Sequence, residues 1–341
     1  MRKKIFWMFR TDLKNLEYYH KYTNQLDFFR NCHDFYLMMP FYFYQEGIFD
    51  EVIIWRLTDK PKESIIFEFD NRRYIQKWVK SFDECFKEKE KPDISFFRGG
   101  FKSYCEITKK NPKFFGLKLY LGSSKRVNPV YGGIYDYILV EDNSELSSPK
   151  HLPFFKTASP DVFYPIKNKE LKYDICWPCN FTQIGYKGQE YFIQKISNSK
   201  YLKTLQIVHC GNKPELGKQL CKKYNVNNIE FIGSIDRRTM NELLNKSKLG
   251  LVTSNKQDGC PRVLTEVLMA GTPLLVRDTT RFLNFYKKIK GVFIFDENNL
   301  EKIIFKAIKN LDILKQNLSN EVQDGNLNFI KICKKNLELW K

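Results

Sequence analysis

Two carboxylates eight positions apart, Asp258 and Glu266, bracket a stretch whose residue types suit a ligand carrying both phosphate and hydroxyls. An apolar run, Leu249 to Val252, comes before it and reads as a buried strand. A polar loop containing Gly259 follows, and Pro261 has the fixed φ of a first helical turn. Val263, Leu264, Val267 and Leu268 then make a helical apolar face, which Gly271 closes and Pro273 stops. A helix end of this kind offers unpaired N–H groups and partial positive charge to an anion. Cys260, Arg262 and Val263 have such N–H groups, whereas Pro261 has none. Acids flanking an anion site make sense when the ligand also has hydroxyls, because a carboxylate accepts two hydrogen bonds from a diol. Phosphate combined with diols is the chemistry of a nucleotide sugar.

The same residues carry a family resemblance. The stretch D-G-C-P-R-V-L-T-E-V-L-M-A-G-T-P resembles the acidic motif of glycosyltransferase family 4 (group 1), roughly E-G-F-G-x-x-x-x-E-A-M-A-x-G-x-P, with Asp258 in place of the first Glu. The resemblance implies an α/β chain of two Rossmann-like domains facing each other across a cleft, the GT-B fold. It implies a retaining hexosyltransferase that takes a UDP- or GDP-linked sugar to a glycan or lipid-linked acceptor, with no cofactor and no metal. Glu266 would hold the ribose hydroxyls and Asp258 the transferred sugar. Lys187-Gly188 resembles the family's Lys-Gly, which places Lys187 on the leaving diphosphate. The catalytic set is therefore Asp258, Glu266 and Lys187. The donor-binding set adds Asn180, Gly211, Gly233, Ser234, Gly259, Cys260, Pro261, Arg262 and Val263. Two departures stand out. The arginine the family usually carries a few residues before this lysine is absent, with Asn180 and Thr182 nearest its place. The family's first-domain histidine is also absent from Tyr120-Leu121-Gly122-Ser123-Ser124. No catalytic base is assigned; in the family a donor phosphate oxygen is commonly proposed to take the acceptor's proton. Arg98-Gly99-Gly100 is the first-half loop suited to the acceptor or the sugar. Two other readings share these residues: transfer to nucleic acid, and binding of a nucleotide sugar without catalysis.

The elements that must position this chemistry read most clearly after residue 172. Strands are expected at Tyr173–Pro178, Thr204–His209, Ile229–Ile232, Leu249–Val252, Leu274–Val276 and Val292–Phe295. Helices are expected at Gly188–Ser197, Pro214–Tyr224 and Asp236–Lys246, the last capped by Asp236. Asn180, Lys187, Gly211, Gly233 and the Asp258 loop follow strand ends, where ligands of parallel sheets bind. In the first half, strands are expected at Lys4–Phe9, Val52–Trp55, Ile65–Phe69, Pro92–Phe97, Phe114–Leu121 and Tyr135–Val140. Helices are expected at Leu13–Arg30 and, from the spacing of Ile75, Trp78, Val79, Phe82 and Phe86, at Arg73–Lys89. The turn-rich Ser159–Pro165 divides a first domain, residues 1–165, from a nucleotide-sugar-binding domain, residues 166–324. The tail is helical at Leu300–Leu314 and Leu327–Trp340, and residues 325–341 are expected to return to the first domain.

The chain has 341 residues, enough for two cores. Lys and Arg outnumber Asp and Glu by 57 to 39, giving +18. Residues 1–170 hold 29 basic and 23 acidic side chains and the rest 28 and 16, so the excess is larger in the half with the anion site. Such a surface attracts phosphate groups and anionic membrane, and nucleic acid is the less favoured partner. Nine scattered cysteines speak against a disulfide scaffold and for a reducing compartment. Cys176 and Cys179 read as a buried, inert pair. Met1-Arg2-Lys3-Lys4 precedes only a short apolar run, so no signal peptide is expected. Phe35–Tyr44 is interrupted by Pro40 and falls short of the roughly 20 residues a bilayer span needs. A cytoplasmic protein with at most peripheral membrane contact is expected.

Overall fold

β-branched and aromatic runs buried on both faces build two separate parallel sheets, each in its own compact unit. The computed structural model describes residues 3–10, 35–59, 61, 63–98, 101–121, 133–141, 148–181, 185–255, 261–280 and 283–340. The helix expected at Leu13–Arg30 lies outside them.

The first unit comprises the described residues up to Glu141, the stretch ending at Phe154, and Leu339–Trp340. Its strands are β1 (Lys4–Arg10), β2 (Glu51–Leu57), β3 (Ile65–Phe69), β4 (Arg72–Val79), β5 (Ile94–Arg98), β6 (Leu117–Leu121), β7 (Tyr137–Val140) and β8 (His151–Pro153). They run in the order β3-β4-β2-β1-β5-β6-β7-β8, all parallel except the β3–β4 hairpin. Helix α1 (Phe35–Gln45) is buried from Phe35 to Tyr44, which is why it is apolar all round. It runs through Pro40 instead of stopping there. Helix α2 (Phe101–Lys110) follows β5.

The helix expected at Arg73–Lys89 is not formed. Arg72–Val79 is strand β4, and Phe82–Lys87 is a short 3₁₀ helix. Asp70 and Asn71, both at positive φ (51° and 61°), make the tight hairpin turn that lays β3 on β4. With β2 on its other side, β4 buries side chains on both faces, Tyr74, Ile75, Gln76, Trp78 and Val79 among them. That double burial imitates helical spacing.

The second unit begins at Phe155. Its strands are β9 (Tyr173–Pro178), β10 (Ile207–Cys210), β11 (Ile229–Phe231), β12 (Ser247–Val252), β13 (Leu274–Arg277) and β14 (Val292–Phe295). All pair parallel, in the order β11-β10-β9-β12-β13-β14. The chain winds outward from β9 to β11, then returns to β12 on the other side of β9 and winds the opposite way. Strand order thus reverses beside β9, which leaves a crevice at the carboxyl ends there. Strand alternation feeds two cores, one per face. Ile175, Trp177, Leu249 and Leu251 enter one, while Cys176 and Val252 enter the other.

Helices α3 (Gln189–Ser197), α4 (Pro214–Tyr224), α5 (Arg237–Asn245), α6 (Val263–Met269) and α7 (Leu283–Tyr286) connect the strands. The tail holds three more helices, α8 (Leu300–Lys309), α9 (Leu311–Gln323) and α10 (Phe329–Trp340). The expected helix Leu300–Leu314 breaks at Asn310, and α9 was not anticipated. Within the second unit, Asn336 on α10 accepts from the Phe155 N–H at 2.9 Å and donates to its carbonyl at 2.6 Å. In the first unit Trp340 packs against Phe96 at 5.8 Å between ring centroids and stacks on Phe154. No helix among the described residues is long and apolar enough to cross a membrane.

Candidate active site

A cavity of about 330 Å³ opens in the second unit where β9, β10 and β12 end. Pro178, Cys179 and Asn180 enter it from β9, Cys210, Gly211 and Asn212 from β10, and Val252, Thr253 and Ser254 from β12. Backbone hydrogen bonds hold these strand ends in register. The Cys179 N–H donates to the Cys210 carbonyl at 3.0 Å, and the Gly211 N–H to the Gly233 carbonyl at 2.8 Å. The strands approach so closely that a Cβ on Gly211 would lie 1.9 Å from the Cys179 carbonyl oxygen. Asn180 accepts from the Asn212 N–H at 2.9 Å, and Ser234 donates to the Asn212 side chain.

Lys187 reaches the cavity from the loop between β9 and α3. Thr253 anchors that loop to the end of β12, its hydroxyl donating to the Lys187 carbonyl at 2.6 Å and accepting from the Trp177 indole at 3.2 Å. The Asn255 N–H adds a bond to the Tyr186 carbonyl at 2.9 Å. Gly188, at φ 70°, lets the chain turn into α3 against β12.

Glu266 lines the same cavity from the first turn of α6 and is only 3% exposed. Its Oε2 accepts from Arg237 Nη1 at 3.0 Å. Arg237 is the first residue of α5, set in place by Asp236, whose Oδ1 caps the helix by accepting from the Arg238 and Thr239 N–H groups at 2.9 Å. These bonds, the one from the Thr239 hydroxyl foremost, hold the Asp236 carboxyl below its ordinary pKa.

The structure thus gathers Asn180, Lys187, Gly211, Ser234, Pro261, Arg262, Val263 and Glu266 around one cavity. Gly233 stands directly behind, bonded to Gly211. Asp258, Gly259 and Cys260 lie outside the described residues, as do Gly99 and Gly100. Arg98 belongs to the first unit, where its guanidinium lies 3.5 Å from the centroid of the Tyr36 ring. Sequence reading missed Arg237. Its only local cue is its place after the capping Asp236, and its partner lies 29 residues on. Cys176 is buried as expected, but Cys179 is half-buried and lines the cavity. Its sulfur sits 3.5 Å from Nε2 of His209, a buried ring whose pKa burial pushes down to about 4. Among the described residues no group of three or more His, Cys, Asp or Glu is gathered as a metal site would need.

Two parallel sheets, with a polar cavity at the strand ends of the second, define a nucleotide-type binding fold. Residues 183–323 match the family described as Glycosyl transferases group 1. The second unit thus carries a group 1 glycosyltransferase segment, and the chain has the GT-B fold. Solved structures agree in fold along the chain's full length. The sucrose-phosphate synthase from Thermosynechococcus elongatus superposes with a TM-score of 0.71 at 12% identity, covering 99% of this chain and 98% of its own. The Anabaena protein HepE in complex with UDP and glucose gives 0.66 at 9%, covering 98% of each. An E. coli trehalose-6-phosphate structure bound with UDP-2-fluoro glucose gives 0.66 at 8%, covering 99% of each. Among curated proteins, none matches the chain significantly.

Proposed function

We propose that the chain is a retaining glycosyltransferase that moves a hexose from a nucleotide diphosphate sugar, UDP- or GDP-linked, to a glycan or lipid-linked acceptor. One observation carries the donor side: a buried carboxylate, Glu266, and an ammonium, Lys187, share a cavity at the strand ends of the second sheet. UDP in the HepE complex supports the choice of donor class. In this reading Glu266 accepts hydrogen bonds from the ribose diol and Asp258 from hydroxyls of the transferred sugar. Lys187 neutralises the diphosphate as it leaves. The bond from the anomeric carbon to the diphosphate oxygen breaks, an acceptor oxygen takes its place on the same face, and the acceptor proton passes to the departing diphosphate. Arg98-Gly99-Gly100 is assigned to the acceptor or sugar side. The reaction uses no metal and no cofactor beyond the sugar nucleotide. A cytoplasmic location and peripheral contact with anionic membrane belong to the same proposal, supported by the net charge of +18.

The test begins with thermal unfolding across a panel of nucleotide sugars. A true donor at about a hundred times its Kd stabilises the native state by roughly 2.7 kcal/mol. The donor so found is then incubated with acceptors, and NMR reads the anomeric configuration of the product. Retained configuration is expected. Inverted product overturns the retaining assignment, and a panel without a stabilising nucleotide overturns the donor site.

A further inference from the structure

The ion pair between Arg237 and Glu266 has a geometry that helix stability does not explain. Arg237 opens α5, and a cation in the first turn sits at the positive end of the helix dipole, where acids are favoured. Its side chain instead reaches α6, bonds Glu266 at 3.0 Å and contacts the Met240 sulfur at 3.7 Å. The guanidinium lines the donor cavity and its side chain keeps 29% of its surface exposed, against 4% for Glu266. The pair therefore presents hydrogen-bond acceptors and donors side by side to the same space.

Resting on the donor-site reading above, we infer that Arg237 is a specificity-determining residue for the ribose. A vicinal diol both donates and accepts. An ionised carboxylate only accepts, so Glu266 alone leaves the ribose oxygens without a donor. A guanidinium has five N–H donors, and the bond to Glu266 uses one. Arg237 fixes the Glu266 carboxylate toward the cavity and donates to a ribose hydroxyl oxygen, so the pair reads the diol as a unit. A deoxyribose leaves both partners short of a bond.

Isothermal calorimetry with UDP and 2′-deoxy-UDP, and with the GDP pair alongside, tests this on wild type, Arg237→Met, Arg237→Gln and Arg237→Lys. Circular dichroism checks the fold of each variant. Wild type is expected to prefer the ribonucleotide by about tenfold or more, the value of a charge-assisted bond. Arg237→Met and Arg237→Gln are expected to lose most of that preference, with the larger affinity loss on the ribonucleotide. Arg237→Lys, a point charge without the planar fork, is expected to recover general affinity but not the preference. Equal losses on both nucleotides in a folded variant, or full recovery of the preference by Lys, overturn the inference and leave Arg237 a structural or purely electrostatic residue. A wild type that binds neither pair, or binds ribo and deoxy forms equally, overturns the donor reading of Glu266, and the inference falls with it.

Discussion

Gly188 and Gly185 occupy one loop, share nearly the same backbone conformation, and differ in what surrounds them. Their φ angles are 70° and 68°. A Cβ on Gly188 would lie 2.0 Å from the Thr253 carbonyl oxygen and 2.9 Å from its carbon, whereas a Cβ on Gly185 meets nothing within 4 Å. Alanine at either position takes on the left-handed penalty, about 1–2 kcal/mol, offset by about 0.4–1 kcal/mol from the stiffer unfolded chain. Gly185→Ala should therefore cost at most about 1.6 kcal/mol. Gly188→Ala must also push the Thr253 carbonyl out of its place at the end of β12, and overpacking of this kind costs roughly 1–3 kcal/mol more. At roughly 2–4 °C per kcal/mol for a unit of this size, the two variants should differ by about 2–12 °C in Tm. The functional consequence follows the same path. Thr253 holds the Lys187 carbonyl at 2.6 Å, so displacing Thr253 displaces Lys187. UDP affinity, read by calorimetry at a temperature where both variants are folded, should fall only in Gly188→Ala. Variants that melt within a degree of each other and bind UDP equally would refute the argument that the close approach to β12 sets the loop.

Other expectations rest on single groups. Glu266→Ala removes a charge-assisted bond to the donor and should weaken nucleotide binding by about 1.5–3 kcal/mol; unchanged affinity in the folded variant sinks the ribose role. Activity should persist in EDTA, and abolition by chelator with rescue by manganese or magnesium would contradict metal independence. Burial lowers the His209 pKa from 6.5 to about 4, so between those values the unfolded chain binds more protons than the native one. Stability should then fall as pH drops through that window, by at most about 3 kcal/mol. Denaturant titrations of wild type against His209→Gln read this directly, and parallel pH profiles would show that the ring does not carry the penalty.

Much of the second unit is legible locally. Its strands are short apolar runs bounded by turn residues, and two of its helices open on local signals, the Asp236 cap before α5 and Pro214 at the start of α4. The stretch from Pro261 to Glu266 also announces itself, because the spacing of acid, proline and apolar face depends on chain-local geometry. Lys187, Gly211 and Ser234 could be nominated from their places after strands. What sequence reading could not supply is whatever depends on neighbours distant in the chain. Arg72–Val79 has helical spacing of apolar residues, yet becomes β4 because β2 and β3 take its two edges, while its side chains are buried on both faces. Asn310 splits the expected helix Leu300–Leu314 through a backbone break, where α8 ends and α9 begins. Arg237 looks like any surface cation beside Arg238, and only the packing of α5 against α6 over the same core brings it to Glu266. Periodicity and caps act over a few residues and are written in the chain. The partner of a charge and the second covered face of a strand are set when the sheet assembles, so the tertiary structure decides them.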